Sequence, residues 1–226
     1  PVSNNPHVIA EGFIKFYKAN IIDCLPKVIG VQSEHADPVY QYYLEPDEAK
    51  RKFIPVDTKP SVAQAAMIGN PVSMPRVVEI TKTYNSLAGC RQVFFVKVTE
   101  QSIMDSQLLA NRNGHIACTQ GGECLAGLVK ALKKNIVTKK ETAILDATAH
   151  AIKFSEFQDL YFNSKIPEDY KIDSDLSNIN QPFLILPDDP TIIPSQKKRL
   201  GEIDFQKFIK DISGKIAKKL DLTTPL

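Results

Sequence analysis

Apolar and polar residues follow each other along this chain with the spacings of alternating helices and strands. In residues 8–20, the side chains Ile9, Phe13 and Phe16 recur at helical intervals, which predicts an amphipathic helix. Residues 27–32 follow Pro26 as a short apolar run rich in β-branched side chains, which predicts a buried strand. The chain therefore opens with a helix followed by a strand.

The same alternation continues through the middle of the chain. Thr99 is placed as the N-cap of a helix that Gly114 closes, since a hydroxyl residue suits a helix start and glycine a helix end. Apolar side chains from Leu125 to Leu132 form the stripe of a further helix. The pattern also predicts helices over residues 37–43 and 75–84, and strands over residues 92–98, 115–118 and 142–145.

The predicted strands are apolar throughout, which is typical of a parallel sheet buried on both faces. We therefore expect an α/β fold, a three-layer parallel sheet with helices on both faces. Ligands of such sheets bind beyond the carboxyl ends of the strands. The loops that begin after Gln32, Val98, Cys118 and Leu145 are accordingly the candidate ligand-binding loops.

The pattern changes after residue 163. Residues 164–195 are rich in Pro, Asp, Asn and Ser, which predicts an extended strap lying on the domain. Residues 203–220 recover helical periodicity, with lysines on the polar face. A membrane-surface or calmodulin-type helix could share this pattern, but interleaved acids favour a C-terminal helix docked on the protein. We expect a sheet domain over residues 1–163, with the strap and helix, residues 164–226, packed on it.

Composition narrows the possible functions. The chain has 226 residues, a formal charge of +2 and 43% hydrophobic residues, so it predicts a globular fold and disfavours a nucleic-acid-binding protein. The four cysteines and four histidines lack the close spacing of metal sites, so we expect no metal. Without a signal peptide or an apolar membrane span, a cytoplasmic location fits best. Because the chain begins with Pro1 and not Met, an upstream plastid-targeting segment stays possible.

Three segments carry candidate chemistry. Thr148 follows a predicted strand, and its hydroxyl could hydrogen-bond a heteroaromatic nitrogen or cap the next helix. Gly121 and Gly122 predict a strand-to-helix turn whose backbone amides could face an anion, although no lysine follows at P-loop spacing. Gly69 could let the backbone approach a flat ligand, or could end a helix.

Four blocks of sequence resemble threonine synthase. They are Lys-Val-Ile-Gly-Val-Gln at residues 27–32, Ala-Met-Ile-Gly-Asn-Pro-Val-Ser at 66–73, Gly-His-Ile-Ala-Cys-Thr at 114–119 and Asp-Ala-Thr-Ala-His-Ala-Ile-Lys-Phe at 146–154. The resemblance runs over residues 11–165, to the carboxyl-terminal portion of that enzyme. It implies the large-domain part of the tryptophan synthase β-subunit fold. It also implies a lyase of threonine biosynthesis that uses pyridoxal 5′-phosphate to convert O-phospho-L-homoserine and water to L-threonine and phosphate.

The resemblance also assigns roles to residues. Thr148 matches the threonine that contacts the pyridine nitrogen, and Ile68 with Gly69 matches backbone beside the cofactor ring. The residues Ser3, Asn4 and Asn5 stand where the family has a glycine-rich loop for the cofactor phosphate.

The family's Schiff-base lysine lies in a Ser-Phe-Lys-Asp type segment, and this chain has none; Lys153 belongs to a different block. The resemblance therefore implies that a missing N-terminal portion supplies the lysine and that the isolated chain is inactive. Two alternatives stay open: another amino-acid lyase of the same fold, such as a threonine dehydratase, or a non-catalytic ligand-binding relative.

Overall fold

In the computed structural model, which describes residues 6–175, 177, 184–195 and 199–222, two strands pair in parallel. Strand β1 spans Val28–Ser33 and strand β2 spans Val93–Val98, with Val28 opposite Val93 and Ser33 opposite Val98. The chain divides into two units, residues 1–178 and residues 179–226. The protein is therefore an α/β protein with a small parallel sheet in its first unit.

Seven α-helices lie within the described residues. Those of the first unit are α1 (Pro6–Lys18), α2 (Pro38–Leu44), α3 (Met74–Ala88), α4 (Glu100–Arg112), α5 (Thr119–Lys133) and α6 (Ser155–Phe162), and that of the second is α7 (Glu202–Lys219). Short 3₁₀ turns occupy Glu48–Lys50, Gln64–Ala66, Ala151–Phe154, Glu168–Tyr170 and Pro190–Ile192. None of the described helices is long and apolar enough to cross a membrane.

Local signals set the ends of two helices, and those of α4 are the ones that the sequence predicts. The Thr99 hydroxyl accepts a hydrogen bond from the backbone N–H of Ser102 at 3.2 Å and so caps α4. Gly114, just past the end of α4, has a φ of 84°, a left-handed conformation that glycine adopts without strain. Gly89 ends α3 in the same way, with a φ of 70°.

Residues of β2 contribute to two apolar clusters. Val96 and Val98 pack with side chains of α4, α5 and α6, including Met104 and Tyr161. Val93 and Phe95 pack with side chains of α1 and α3, including Tyr84. Neighbouring residues of a strand point to opposite faces of a sheet, so both faces of β2 are covered.

Two predicted strands are wrong. Residues 115–118 form a single antiparallel bridge, from Ala117 to His150, and no strand. Residues 142–145 have no regular structure and are exposed, with Ile144 93% exposed. A strand forms only where a neighbouring strand completes its hydrogen-bond ladder, and an apolar sequence alone does not ensure such a neighbour. None of the described residues lies beside residues 142–145 as a strand.

The described part of the strap in the first unit packs on that unit's core. Ile172 is buried among core side chains, and Ile166 and Tyr170 pack against the same cluster. The Ser174 hydroxyl donates to the backbone carbonyl of Tyr161 at 2.6 Å. In the second unit, the amine of Lys215 on α7 bonds the carboxylate of Asp188 at 2.6 Å.

Candidate functional site

A buried polar network begins where the two strands end. Both carboxylate oxygens of Glu100, in the first turn of α4, accept hydrogen bonds: Oε1 from the Ser33 hydroxyl, and Oε2 from the Ser61 hydroxyl at 3.1 Å and the Val62 backbone at 2.8 Å. The His35 side chain places Nδ1 2.6 Å from the Pro60 carbonyl and 3.8 Å from Glu100 Oε1. The network ties the loop at residues 60–63 to the carboxyl ends of β1 and β2.

Helix α5 brings a second carboxyl group to this place. A Cβ added to Gly127 would overlap Val31 of β1, so α5 lies directly on that strand. Glu123, one turn earlier on the same helix face, lies near the Ser33 backbone and the Glu100 carboxylate. The first turn of α5 therefore lies at the carboxyl end of β1.

Glu123 is fully buried, and its carboxyl oxygens have no hydrogen-bond partner among the described residues. Burial, with a smaller contribution from the negative charge of Glu100, raises the pKa of this group from 4.5 to about 7. The neighbouring amide nitrogen of Gln120, which is 2% exposed, is likewise without a partner in the described part of the chain. This end of the site thus offers an acid and an amide donor.

The segment from Asp146 to His150 is held against the start of α5. The backbone N–H of Cys118 donates to the Ala149 carbonyl at 3.1 Å, and the Cys124 thiol donates to the Asp146 carbonyl at 3.4 Å. The structure thus brings the predicted loop after Leu145 to the start of α5, the helix that begins directly after Cys118.

Thr148 lies in this segment with its side chain exposed, and its hydroxyl oxygen is 3.7 Å from the Cys118 sulfur. The alternative that Thr148 caps the next helix is wrong. His150 caps the 3₁₀ turn instead, because its Nδ1 accepts a hydrogen bond from the Ile152 backbone at 3.1 Å. The Thr148 hydroxyl is therefore available to a ligand.

The glycines of residues 119–123 do not form the predicted turn, because α5 already begins at Thr119. A Cβ at Gly122 would lie 2.5 Å from the Ile103 carbonyl and 2.8 Å from Gln107 Cβ, both on α4. A Cβ at Gly121 would lie 2.8 Å from Ala117 Cβ. These glycines let α5 pack closely on its neighbours.

Gly69 lies in a different part of the first unit. It accepts a hydrogen bond from the Val56 backbone at 3.0 Å, and a Cβ on it would overlap the Val56 carbonyl. It does not end a helix, because the 3₁₀ turn Gln64–Ala66 is closed by Met67. Close approach of the protein's own backbone therefore accounts for this glycine, while the cofactor contact of Ile68 and Gly69 stays a prediction.

The last predicted site residues are three near the start of the chain. Ser3, Asn4 and Asn5 lie outside the described residues. Lys153 is exposed on the 3₁₀ turn Ala151–Phe154. No three His, Cys, Asp or Glu side chains of the described residues are grouped as a metal site.

Neither Glu100 nor Glu123 is predicted as a site residue from the sequence pattern. Glu100 directly follows the helix cap, where an acid is common because it suits the helix dipole. From the sequence, Glu123 is expected at the surface, since glutamate is rarely buried. Its one signal is its place on the face of α5 that carries Gly127.

The fold and this site define an α/β protein that presents hydroxyl, amide and carboxyl groups beyond the carboxyl end of a parallel strand. No protein-family model matches the chain. It is 27% identical to chloroplastic threonine synthase 2 of Arabidopsis thaliana over 164 residues, 73% of this chain and 30% of that enzyme. It is 30% identical to threonine synthase of Methanocaldococcus jannaschii over 156 residues, 68% of this chain and 36% of that enzyme.

A third relative, threonine synthase of Mycobacterium tuberculosis, is 24% identical over 173 residues, 75% of this chain and 43% of that enzyme. The chain thus spans only about a third of the length of the relatives that it matches. It is similar to a portion of threonine synthase.

Proposed function

We propose that this chain is the carboxyl-terminal portion of a threonine synthase, which forms L-threonine and phosphate from O-phospho-L-homoserine and water. The observation that carries the proposal is the similarity to threonine synthases of a plant and an archaeon over about 70% of the chain. Because the chain spans only a third of these enzymes, a further portion supplies the Schiff-base lysine and much of the substrate site.

The proposed cofactor is pyridoxal 5′-phosphate, whose conjugated ring, when bound, accepts electron density from the substrate's α and β carbons. Thr148 fits the role of holding the ring nitrogen, since its hydroxyl is exposed next to the start of α5. Ile68 and Gly69 are the proposed backbone contacts beside the ring. Ser3, Asn4 and Asn5 are the proposed contacts to the cofactor phosphate.

The missing portion also bears on the fold. Helices cover both faces of β2, which supports a three-layer sheet that further strands would extend. The domain boundary after residue 163 stays a prediction. The cytoplasmic location also stays a prediction, because the relatives include a chloroplastic enzyme as well as archaeal and bacterial enzymes.

The test is product analysis of the full-length protein that contains this chain, loaded with pyridoxal 5′-phosphate. O-phospho-L-homoserine should yield equal amounts of L-threonine and phosphate, and the 226-residue chain alone should yield neither. Turnover of L-threonine to ammonia instead would establish the threonine dehydratase alternative. Cofactor binding without turnover of either substrate would favour the non-catalytic relative.

A further inference from the structure

Cys118 holds the segment around Thr148 through two of its groups. It is fully buried at the N-cap of α5, and its backbone N–H donates to the Ala149 carbonyl at 3.1 Å. Its sulfur lies 3.7 Å from the Thr148 hydroxyl oxygen, within hydrogen-bonding range for sulfur. One residue thus fixes both the backbone next to Thr148 and the side chain of Thr148 itself.

The direction of this hydrogen bond decides where the threonine proton points. If Thr148 donated to the sulfur, its only hydroxyl proton would point into the protein. A hydroxyl oxygen is the better acceptor, because thiol sulfur accepts hydrogen bonds only weakly. The favoured arrangement is donation from the Cys118 thiol to the Thr148 oxygen, which leaves the hydroxyl proton directed to the exposed side.

We propose that Cys118 is a positioning residue that orients the Thr148 hydroxyl to donate to an aromatic ring nitrogen of the bound ligand. The inference rests on the proposed function, in which that nitrogen is the pyridine nitrogen of pyridoxal 5′-phosphate. An unprotonated ring nitrogen accepts a hydrogen bond and does not donate one, so it needs the outward-pointing proton that this arrangement provides.

Cys124 offers a matched control in the same helix. Its thiol is also buried and also bonds the segment, but its partner is the backbone carbonyl of Asp146 at 3.4 Å. Replacing either cysteine with alanine removes one buried thiol and one contact to the segment. Only the Cys118 change removes the contact to the Thr148 hydroxyl.

The first measurement is a double-mutant cycle on the unfolding equilibrium of the 226-residue protein, with Cys118→Ala, Thr148→Val and the double variant. We expect a coupling of about threefold to tenfold in the unfolding equilibrium constant, the size of one hydrogen bond. Strictly additive effects would show that the thiol and the hydroxyl do not interact, and would overturn the inference.

The second measurement is the affinity for pyridoxal 5′-phosphate and the absorbance maximum of the bound cofactor, in the full-length protein. Cys118→Ala should weaken binding by about threefold to tenfold and move the maximum. Cys118→Ser, which keeps a donor, should restore both. Cys124→Ala should leave both near the wild-type values.

Equal effects of Cys118→Ala and Cys124→Ala on affinity and spectrum would mean that the thiols serve packing alone, and would overturn the inference. If the wild type binds pyridoxal 5′-phosphate and Cys118→Ala changes neither the affinity nor the spectrum, the inference is overturned while the proposed function stays intact. A wild-type full-length protein that binds no pyridoxal 5′-phosphate would overturn the proposed function and, with it, the ligand named here.

Discussion

Glu100 and Glu123 are two fully buried glutamates with opposite surroundings. Glu100 accepts three hydrogen bonds, from two hydroxyls and a backbone amide, and such donors stabilise a buried charge. Glu123 has no such donor within the described residues. Burial without such donors, and then the nearby charge of Glu100, raise the pKa of Glu123 to about 7.

The first prediction is that Glu123 makes stability fall as the pH rises. Its pKa is about 7 in the folded protein against an ordinary 4.5, so the unfolded chain releases this proton at a lower pH than the folded one. The stabilising contribution is fully present below pH 4.5 and is lost as the pH rises through 7. The difference corresponds to about 3 kcal/mol.

Glu123→Gln should remove this dependence and raise the free energy of unfolding at pH 8 relative to the wild type. Chemical denaturation at pH 5 and pH 8 measures both effects. Glu79→Gln, at an exposed glutamate of α3, is the control and should keep the wild-type pH dependence. If the free energy of unfolding of Glu123→Gln differs between pH 5 and pH 8 as much as that of the wild type, the prediction is contradicted.

The second prediction concerns Thr148 in the full-length protein. Thr148→Val keeps the shape of the side chain but leaves the ring nitrogen without its donor, at a cost of roughly 1–3 kcal/mol. Affinity for pyridoxal 5′-phosphate or turnover should fall by about tenfold to a hundredfold. Thr148→Ser keeps the hydroxyl and should lie close to the wild type. Wild-type affinity and turnover in Thr148→Val would remove this segment from the cofactor site.

At the scale of elements, the contact between α5 and β1 depends on the absence of a side chain at Gly127. The third prediction is that Gly127→Ala destabilises the protein by about 1–3 kcal/mol, since the new Cβ would overlap the side chain of Val31. Thermal unfolding measures the loss. Gly12→Ala is the matched control: Gly12 lies inside α1, and apart from its own helix and chain neighbours no described residue comes within 4 Å of an added Cβ.

Because alanine favours helix more than glycine, Gly12→Ala should stabilise the protein by about 0.5–1 kcal/mol. The two glycine-to-alanine changes should therefore shift the melting temperature in opposite directions. A shift of the same sign in both variants would contradict the close packing of α5 on β1.

Elements with a local signal were predictable from the sequence. Thr99 and Gly114 mark the two ends of α4, and the apolar stripe from Leu125 marks α5. Residues 142–145 show the limit, because a strand needs a neighbour that local sequence does not reveal. In the candidate site, the burial of Glu123 was likewise not predictable, because it depends on how α5 meets β1, and the role of Thr148 stays a prediction.

For the whole molecule, we expect the folding of residues 164–226 to depend on the rest of the chain. Ile166, Tyr170 and Ile172 belong to or pack against the apolar cluster that includes Ile103 and Met104 of α4. Helix α7 buries none of its own residues fully. The fourth prediction is that residues 164–226, expressed alone, are unfolded by circular dichroism. A cooperative thermal transition in that fragment would show that it has a core of its own.

The two-stranded sheet has a practical consequence for work with the isolated chain. Among the described residues, β1 and β2 pair only with each other, so the backbone groups on their outer sides lack a strand partner. Strand edges of this kind recruit other chains and promote aggregation. The 226-residue chain should therefore be most tractable at low concentration or when co-expressed with the further portion of the proposed enzyme, and loss of soluble protein on concentration is the expected sign of self-association through these edges.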